Sequence, residues 1–192
     1  MKLTIILLVL FIFPGYSQKK SSKEQSQMNF EVFEYTDHNQ KIQIKKVPEI
    51  FIEFHSSNPE LAKSNTDDFI VLEEKKNAKI MKKKLSDPSA KTNKNNPLPR
   101  NVSEAFLDGN GTMIGLPGGV LLHLEPTWTE SDVQSWLSQN SLQLIRKQDI
   151  SGNWVVVESP AGLGSLELAN RLKGKLGVIS ATPNLWRPIS HR

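Results

Sequence analysis

Residues 120–182 read VLLHLEPTWTESDVQSWLSQNSLQLIRKQDISGNWVVVESPAGLGSLELANRLKGKLGVISAT, and the spacing of apolar residues in this stretch decides the expected fold. Val120, Leu122 and Leu124 alternate with Leu121 and His123, the period of two expected of a strand. Thr129 and Asp132 have the spacing of a capping box, with Asp replacing the usual Glu or Gln. Val133, Trp136 and Leu137 follow at i, i+3 and i+4, which predicts a short amphipathic helix. Leu142 and Leu144 share one face of a second strand, Ser151-Gly152-Asn153 reads as a turn, and 154–157 is a run of β-formers. Ser165 can cap a helix in which Leu168, Ala169, Leu172 and Leu176 share a face, with Gly174 and Gly177 at its end and a last strand over 178–182. The expected order is β-α-β-β-α-β, a ferredoxin-like pattern.

Working outward, 116–119 (Leu-Pro-Gly-Gly) leads into this region, and 105–107 and 112–114 flank Asp108-Gly109-Asn110-Gly111, a hairpin-turn sequence. Residues 86–101 hold three prolines and many Asn, Lys and Ser without apolar periodicity, and read as a linker. Before it, 30–35 and 41–46 alternate around a polar turn and read as a β-hairpin. Pro48 is expected to interrupt, with strands resuming at 50–54 and 69–72, while 78–85 fits either a strand or a short helix. The fold class expected is therefore α+β, a C-terminal ferredoxin-like domain preceded by a small β-rich domain. The expected boundaries are 1–17 export signal, 18–28 disordered, 29–85 β-rich domain, 86–104 linker, 105–184 second domain and 185–192 tail.

The export signal rests on Lys2, an apolar run over 3–13, and the small residues Gly15 and Ser17 before Gln18. The apolar run is shorter than the ~20 residues of a spanning helix, so cleavage, with no membrane attachment afterwards, is expected. The mature chain would be exported, to a bacterial periplasm or the medium. The chain of 192 residues has a net charge of +4, and the excess is uneven: residues 19–100 carry 16 Lys and Arg against 12 Asp and Glu, residues 101–192 carry 7 against 8. The lysines are diluted by glutamates and lack interleaved aromatics, so nucleic acid is not an expected partner. Absence of cysteine excludes disulfides, thiolate-bound zinc and a thiol nucleophile.

Two strands of the second region carry apolar residues on both faces. If Val120, Leu122, Leu124, Val155 and Val157 face the helices, then Leu121, His123, Trp154 and Val156 face away. An apolar face left over marks either a partner site or a surface covered by the N-terminal domain or the 105–114 hairpin. The segment Leu185, Trp186, Arg187, Pro188, Ile189, Ser190, His191 and Arg192 is too short and proline-broken for a regular element; it is either an inserting tail or a frayed end.

Leu-Pro-Gly-Gly-Val (116–120), Leu-Glu-Leu-Ala-Asn-Arg-Leu (166–172) and Gly-Val-Ile-Ser-Ala-Thr-Pro-Asn-Leu-Trp (177–186) resemble the propeptides of bacterial subtilases of the fervidolysin and kexin-like kind. The likeness covers about 75 residues. In such precursors the Pro-Asn element precedes the protease, whereas here eight residues follow Asn184. That departure resembles a smaller group, the external chaperones of Aeromonas-type subtilases, which carry an N-terminal extension. The resemblance implies a separate subtilisin-like serine protease as partner. The sheet face bearing Leu121, His123, Trp154 and Val156 would dock on the protease and assist its folding, and the segment 185–192 would enter the active-site cleft as a substrate mimic. Acidic residues that cap protease helices in some propeptides have no counterpart at Thr182, Pro183 or Asn184. A stand-alone inhibitor without folding assistance and a secreted binding adaptor remain as alternatives.

Catalytic chemistry is not expected. His38, His55, His123 and His191 show no metal-ligand spacing, and neither His-Glu-x-x-His nor Gly-x-Ser-x-Gly occurs. Gly109, Gly111 and Gly115 lack the Lys-Ser/Thr of a phosphate loop. No enzyme activity, metal or cofactor is predicted.

Overall fold

The computed structural model describes residues 30–37, 40–55, 68–84 and 98–188. The expected export signal, the 18–28 segment, most of the linker and residues 189–192 lie outside the described residues.

Six strands form the larger sheet: β1 (Val32–Asp37), β2 (Gln40–Phe54), β3 (Phe69–Lys75), β4 (Ala78–Lys83), β5 (Val102–Leu107) and β6 (Met113–Ile114). Their order is β3-β4-β2-β5-β6, with β1 paired to β2. The first half of β2 pairs with β1, from Val32↔Lys45 to Asp37↔Gln40, and its second half with β4, from Ile50↔Lys82 to Phe54↔Ala78. Pro48 does not end the strand. It falls where the register with β5 shifts between Lys46 and Phe51, next to Glu49 at φ 61°. A bulge leaves residues unpaired, which suits a residue without an N–H. The 78–85 ambiguity resolves as strand, closed onto β3 by a turn at Lys76 and Asn77.

The second sheet contains β7 (Val120–Leu124), β8 (Leu144–Lys147), β9 (Asn153–Val157) and β10 (Val178–Pro183) in the order β10-β7-β9-β8, with antiparallel neighbours. Helix α1 (Glu130–Gln139) begins at Thr129, whose hydroxyl accepts from the Asp132 N–H while the Asp132 carboxylate accepts from the Thr129 N–H. Helix α2 (Leu163–Leu172) begins at Gly162, not at Ser165. Ser165 is buried in the first turn, where its hydroxyl donates back to the Gly162 carbonyl. Leu176 falls beyond the helix and is 91% exposed.

Helix α2 is the wedge of the molecule. Leu168, Ala169 and Leu172 pack with Val120, Leu122, Leu124, Val155 and Val157 of the second sheet. Leu166, with Leu163 beside it, packs with Tyr35, Ile44, Phe106 and Ile114 of the larger sheet. Asn170 Nδ2 donates to the Glu34 carbonyl at 2.9 Å and Lys173 Nζ meets Thr36 Oγ1 at 2.6 Å, so polar contacts rim the same seam. Full burial of a leucine side chain such as Leu166 favours the folded state by about 1.5–3 kcal/mol.

The α+β expectation, a ferredoxin-like domain behind a small β-rich one, is overturned. Strand makes up 48% of the structure and helix 15%, in two antiparallel sheets. The physical reason lies in the middle of the chain. The boundary expected at residue 105 falls inside β5, and β5 and β6 complete the larger sheet instead of joining the second region. The core under the second sheet is drawn from residues 120–181, but α2 also sends Leu166 into the core of the larger sheet, so the two sheets share one helix. Among the described residues no helix is long and apolar enough to cross a membrane.

Candidate functional site

Alternation along β7 and β9 sends Val120, Leu122, Leu124, Val155 and Val157 into the core with the helices. The residues between them occupy the opposite face. Strand pairing sets Leu121 opposite Val156 and His123 opposite Trp154, so all four expected face residues form one block. The imidazole of His123 and the indole of Trp154 stack with centroids 4.1 Å apart and planes 6° from parallel. Such contacts between flat rings add to the burial of their area. Leu121, His123 and Trp154 are half-buried, whereas Val156 is only 7% exposed. The turn before β9 comes close to the stack: a Cβ on Gly152, at φ 95°, would lie 3.3 Å from His123 Nε2.

Two further strands extend the block with residues the sequence reading missed. Ser180 and Thr182 of β10 stand opposite His123 and Leu121, and Arg146 of β8 stands opposite Val156. The end of exposed Ile145 reaches towards Gly119, where an added Cβ would lie 3.8 Å from Ile145 Cδ1 and 3.2 Å from Val156 Cγ1. The face is thus an apolar and aromatic centre with hydroxyls on one side and a cation on the other. Only the strand order brings these residues together, and no local spacing encodes that order.

The tail residues lie elsewhere. Asn184 donates through its N–H to the Gly119 carbonyl at 3.0 Å and through Nδ2 to the Gly118 carbonyl at 3.2 Å. Leu185 packs against the core of Tyr35, Ile44 and Phe106. Trp186 exchanges two main-chain hydrogen bonds with Gly115, at 2.9 and 3.0 Å, and its ring meets Phe54 edge-on at 6.0 Å. Gly115 permits this approach, because a Cβ there would come within 2.8 Å of Ile52 and Phe54 side chains. Arg187 pairs with Asp108 at 3.4 Å, and Pro188 is half-buried. Residues 185–188 are therefore held against the larger sheet, and Ile189, Ser190, His191 and Arg192 lie outside the described residues.

Titration is perturbed away from this face. The hydrogen bond from Lys147, then that from Gln134, holds the Glu130 carboxyl below its ordinary value, and the Thr129 hydrogen bonds do the same for Asp132. Burial pushes the Tyr35 phenol up, with Asp37 acting in the same direction. Among the described residues no cluster of His, Asp or Glu suits a metal ion. Comparison of the chain with protein-family models, with curated proteins and with solved structures finds no match to any of them.

Proposed function

We propose that the chain is a trans-acting chaperone and temporary inhibitor of an exported subtilisin-like serine protease, working in the bacterial periplasm or outside the cell. The block of Leu121, His123, Trp154 and Val156, on the sheet face turned away from both helices, is the observation that supports this reading most. Aromatic residues on such a face are the usual energetic anchors of protein interfaces. In this reading the block docks on the protease surface and stabilises the protease while it folds. Gly115, Phe54 and Asp108 hold Trp186 and Arg187 on the larger sheet. Ile189, Ser190, His191 and Arg192 then enter the cleft as a substrate mimic. The chain carries no chemistry of its own in this scheme, and it needs no metal or cofactor.

Refolding of a denatured subtilisin-like protease, with and without the purified protein, tests the proposal. The wild-type protein raises the yield of active enzyme and, in excess, inhibits it. His123→Ala combined with Trp154→Ala removes both effects while the free protein stays folded; Val156 is left intact because its burial ties it to stability. Inhibition without any gain in refolding yield would favour a stand-alone inhibitor. Absence of both effects with any subtilase would favour a binding adaptor.

A further inference from the structure

The larger sheet ends at β3, whose second side pairs with no strand among the described residues. Such a row of main-chain donors and acceptors is a template for another strand. Ile70, Val71 and Leu72 stand in the middle of β3, and each is more than half exposed. Natural edges are instead blunted by charge, proline or shortness. The other end of the same sheet is blunt in this way, because β6 is only two residues long.

The order of residues along β3 selects the strand that fits it. Exposed Asp68 stands just before the strand and Lys75 at its end, with the three apolar residues between them. A second β3 running antiparallel sets Asp68 of each copy opposite Lys75 of the other, and Val71 opposite Leu72. Opposite charges and apolar pairs directly across antiparallel strands are stabilising. Lys75 already meets Glu73 of its own strand, so each joint gathers two carboxylates around one ammonium group. An unrelated strand satisfies the edge but not this reciprocal order.

The main chain agrees with the same register. The Lys84 N–H donates to the Asp68 carbonyl, so Asp68 faces β4 and alternation turns the main-chain groups of Phe69 outward. At the far end the Asn77 carbonyl accepts from the His55 N–H and so faces β2. Ala78 and its partner Lys75 then face each other, and Glu74 turns outward. Pairing Asp68 with Lys75 places Phe69 opposite Glu74. Outward-facing residues therefore meet at both ends of the pairing and can exchange main-chain hydrogen bonds. A shift of one residue would set outward groups against inward ones.

We propose that two copies of this chain pair through β3, antiparallel about a two-fold axis between Val71 and Leu72, and so join their larger sheets into one. The contact is isologous, the same strand on both copies, and the blunt β6 end offers no second joint, so assembly closes at two. None of Leu121, His123, Trp154 and Val156 takes part, so the proposal stands with or without a protease partner.

Analytical ultracentrifugation of the purified protein over a range of concentrations tests this. A reversible monomer–dimer equilibrium is expected. Leu72→Lys, at an exposed position, puts a cation in the apolar centre of the joint and weakens the dimer about tenfold or more. Asp68→Lys and Lys75→Glu each set like charges opposite one another and, taken singly, weaken it by about as much. Mixed in equal amounts, these two variants pair with each other at close to wild-type strength, because each copy supplies the charge that the other has lost. Monomer at every concentration, or open-ended association in place of a dimer, would overturn the proposal. So would an unweakened dimer in Leu72→Lys, or a mixture of Asp68→Lys and Lys75→Glu that associates no better than either variant alone.

Discussion

The two faces of the four-stranded sheet come from the same strands and the same alternation, yet they are built for different ends. On the inner face Val120, Leu122 and Leu124 are fully buried, and Val155 and Val157 join them under the helices. On the outer face Leu121, His123 and Trp154 keep part of their surface in water, although two of the three are aromatic. A strand that needs only one apolar side carries polar residues on the other. Apolar and aromatic residues on both sides show that burial by the helices does not account for the outer face.

The sharpest way to break the comparison is to truncate one residue on each face. Leu122→Ala is expected to destabilise the protein by about 2–5 kcal/mol, the range for buried leucines. Trp154→Ala removes a half-buried ring and its stack on His123, a contact worth about 0.5–1.5 kcal/mol beyond its area. Urea unfolding of both variants checks this. Equal losses would mean that the outer face belongs to the core as fully as the inner one.

A second substitution probes the seam that joins this sheet to the larger one. Leu166→Ala is expected to cost about 2–4 kcal/mol, because the side chain sits in the core of the larger sheet while its helix packs on the second. Thermal unfolding should remain a single transition in the wild type. In Leu166→Asp the second sheet and the larger one should melt separately. A single unshifted transition in the aspartate variant would show that the two sheets are not coupled through α2.

The smallest effect belongs to the cap of α1. Thr129→Ala should cost about 1 kcal/mol near neutral pH. The Thr129 hydrogen bonds hold the Asp132 carboxyl below its ordinary value in the folded state. That contribution is therefore present above the unfolded-state value and is lost as pH falls through the lowered folded value. The gap between wild type and Thr129→Ala should narrow over that acidic interval. A gap that widens on acidification would contradict the assignment of the cap.

Strand and helix positions in 120–182 were legible because each depends on local spacing: two for Val120, Leu122 and Leu124, and three to four for Val133, Trp136 and Leu137. The fold class was not. Nothing local distinguishes β5 as an addition to the larger sheet from β5 as the start of a second domain, because a hairpin at 105–114 is compatible with both. Leu166 likewise reads as a helix residue, and only its packing against Tyr35 and Ile44, more than a hundred residues earlier, shows which core it serves. The four face residues were legible as a block because alternation on paired strands places them together. Ser180, Thr182 and Arg146 were not, since strand order is a non-local property. The tail residues also read as free from the sequence, whereas the structure ties 185–188 to Gly115, Phe54 and Asp108.

Thiol labelling offers the most direct measurement of the proposed docking, because the chain has no cysteine to interfere. Ser180→Cys places a single thiol on the outer face, opposite His123, and Ser135→Cys places one on the exposed side of α1. Each variant is labelled alone and in the presence of a subtilisin-like protease that the same variant inhibits. Docking through the outer face predicts that the protease slows labelling at position 180 at least tenfold and leaves position 135 unchanged. Inhibition of the protease with undiminished labelling at position 180 would contradict it.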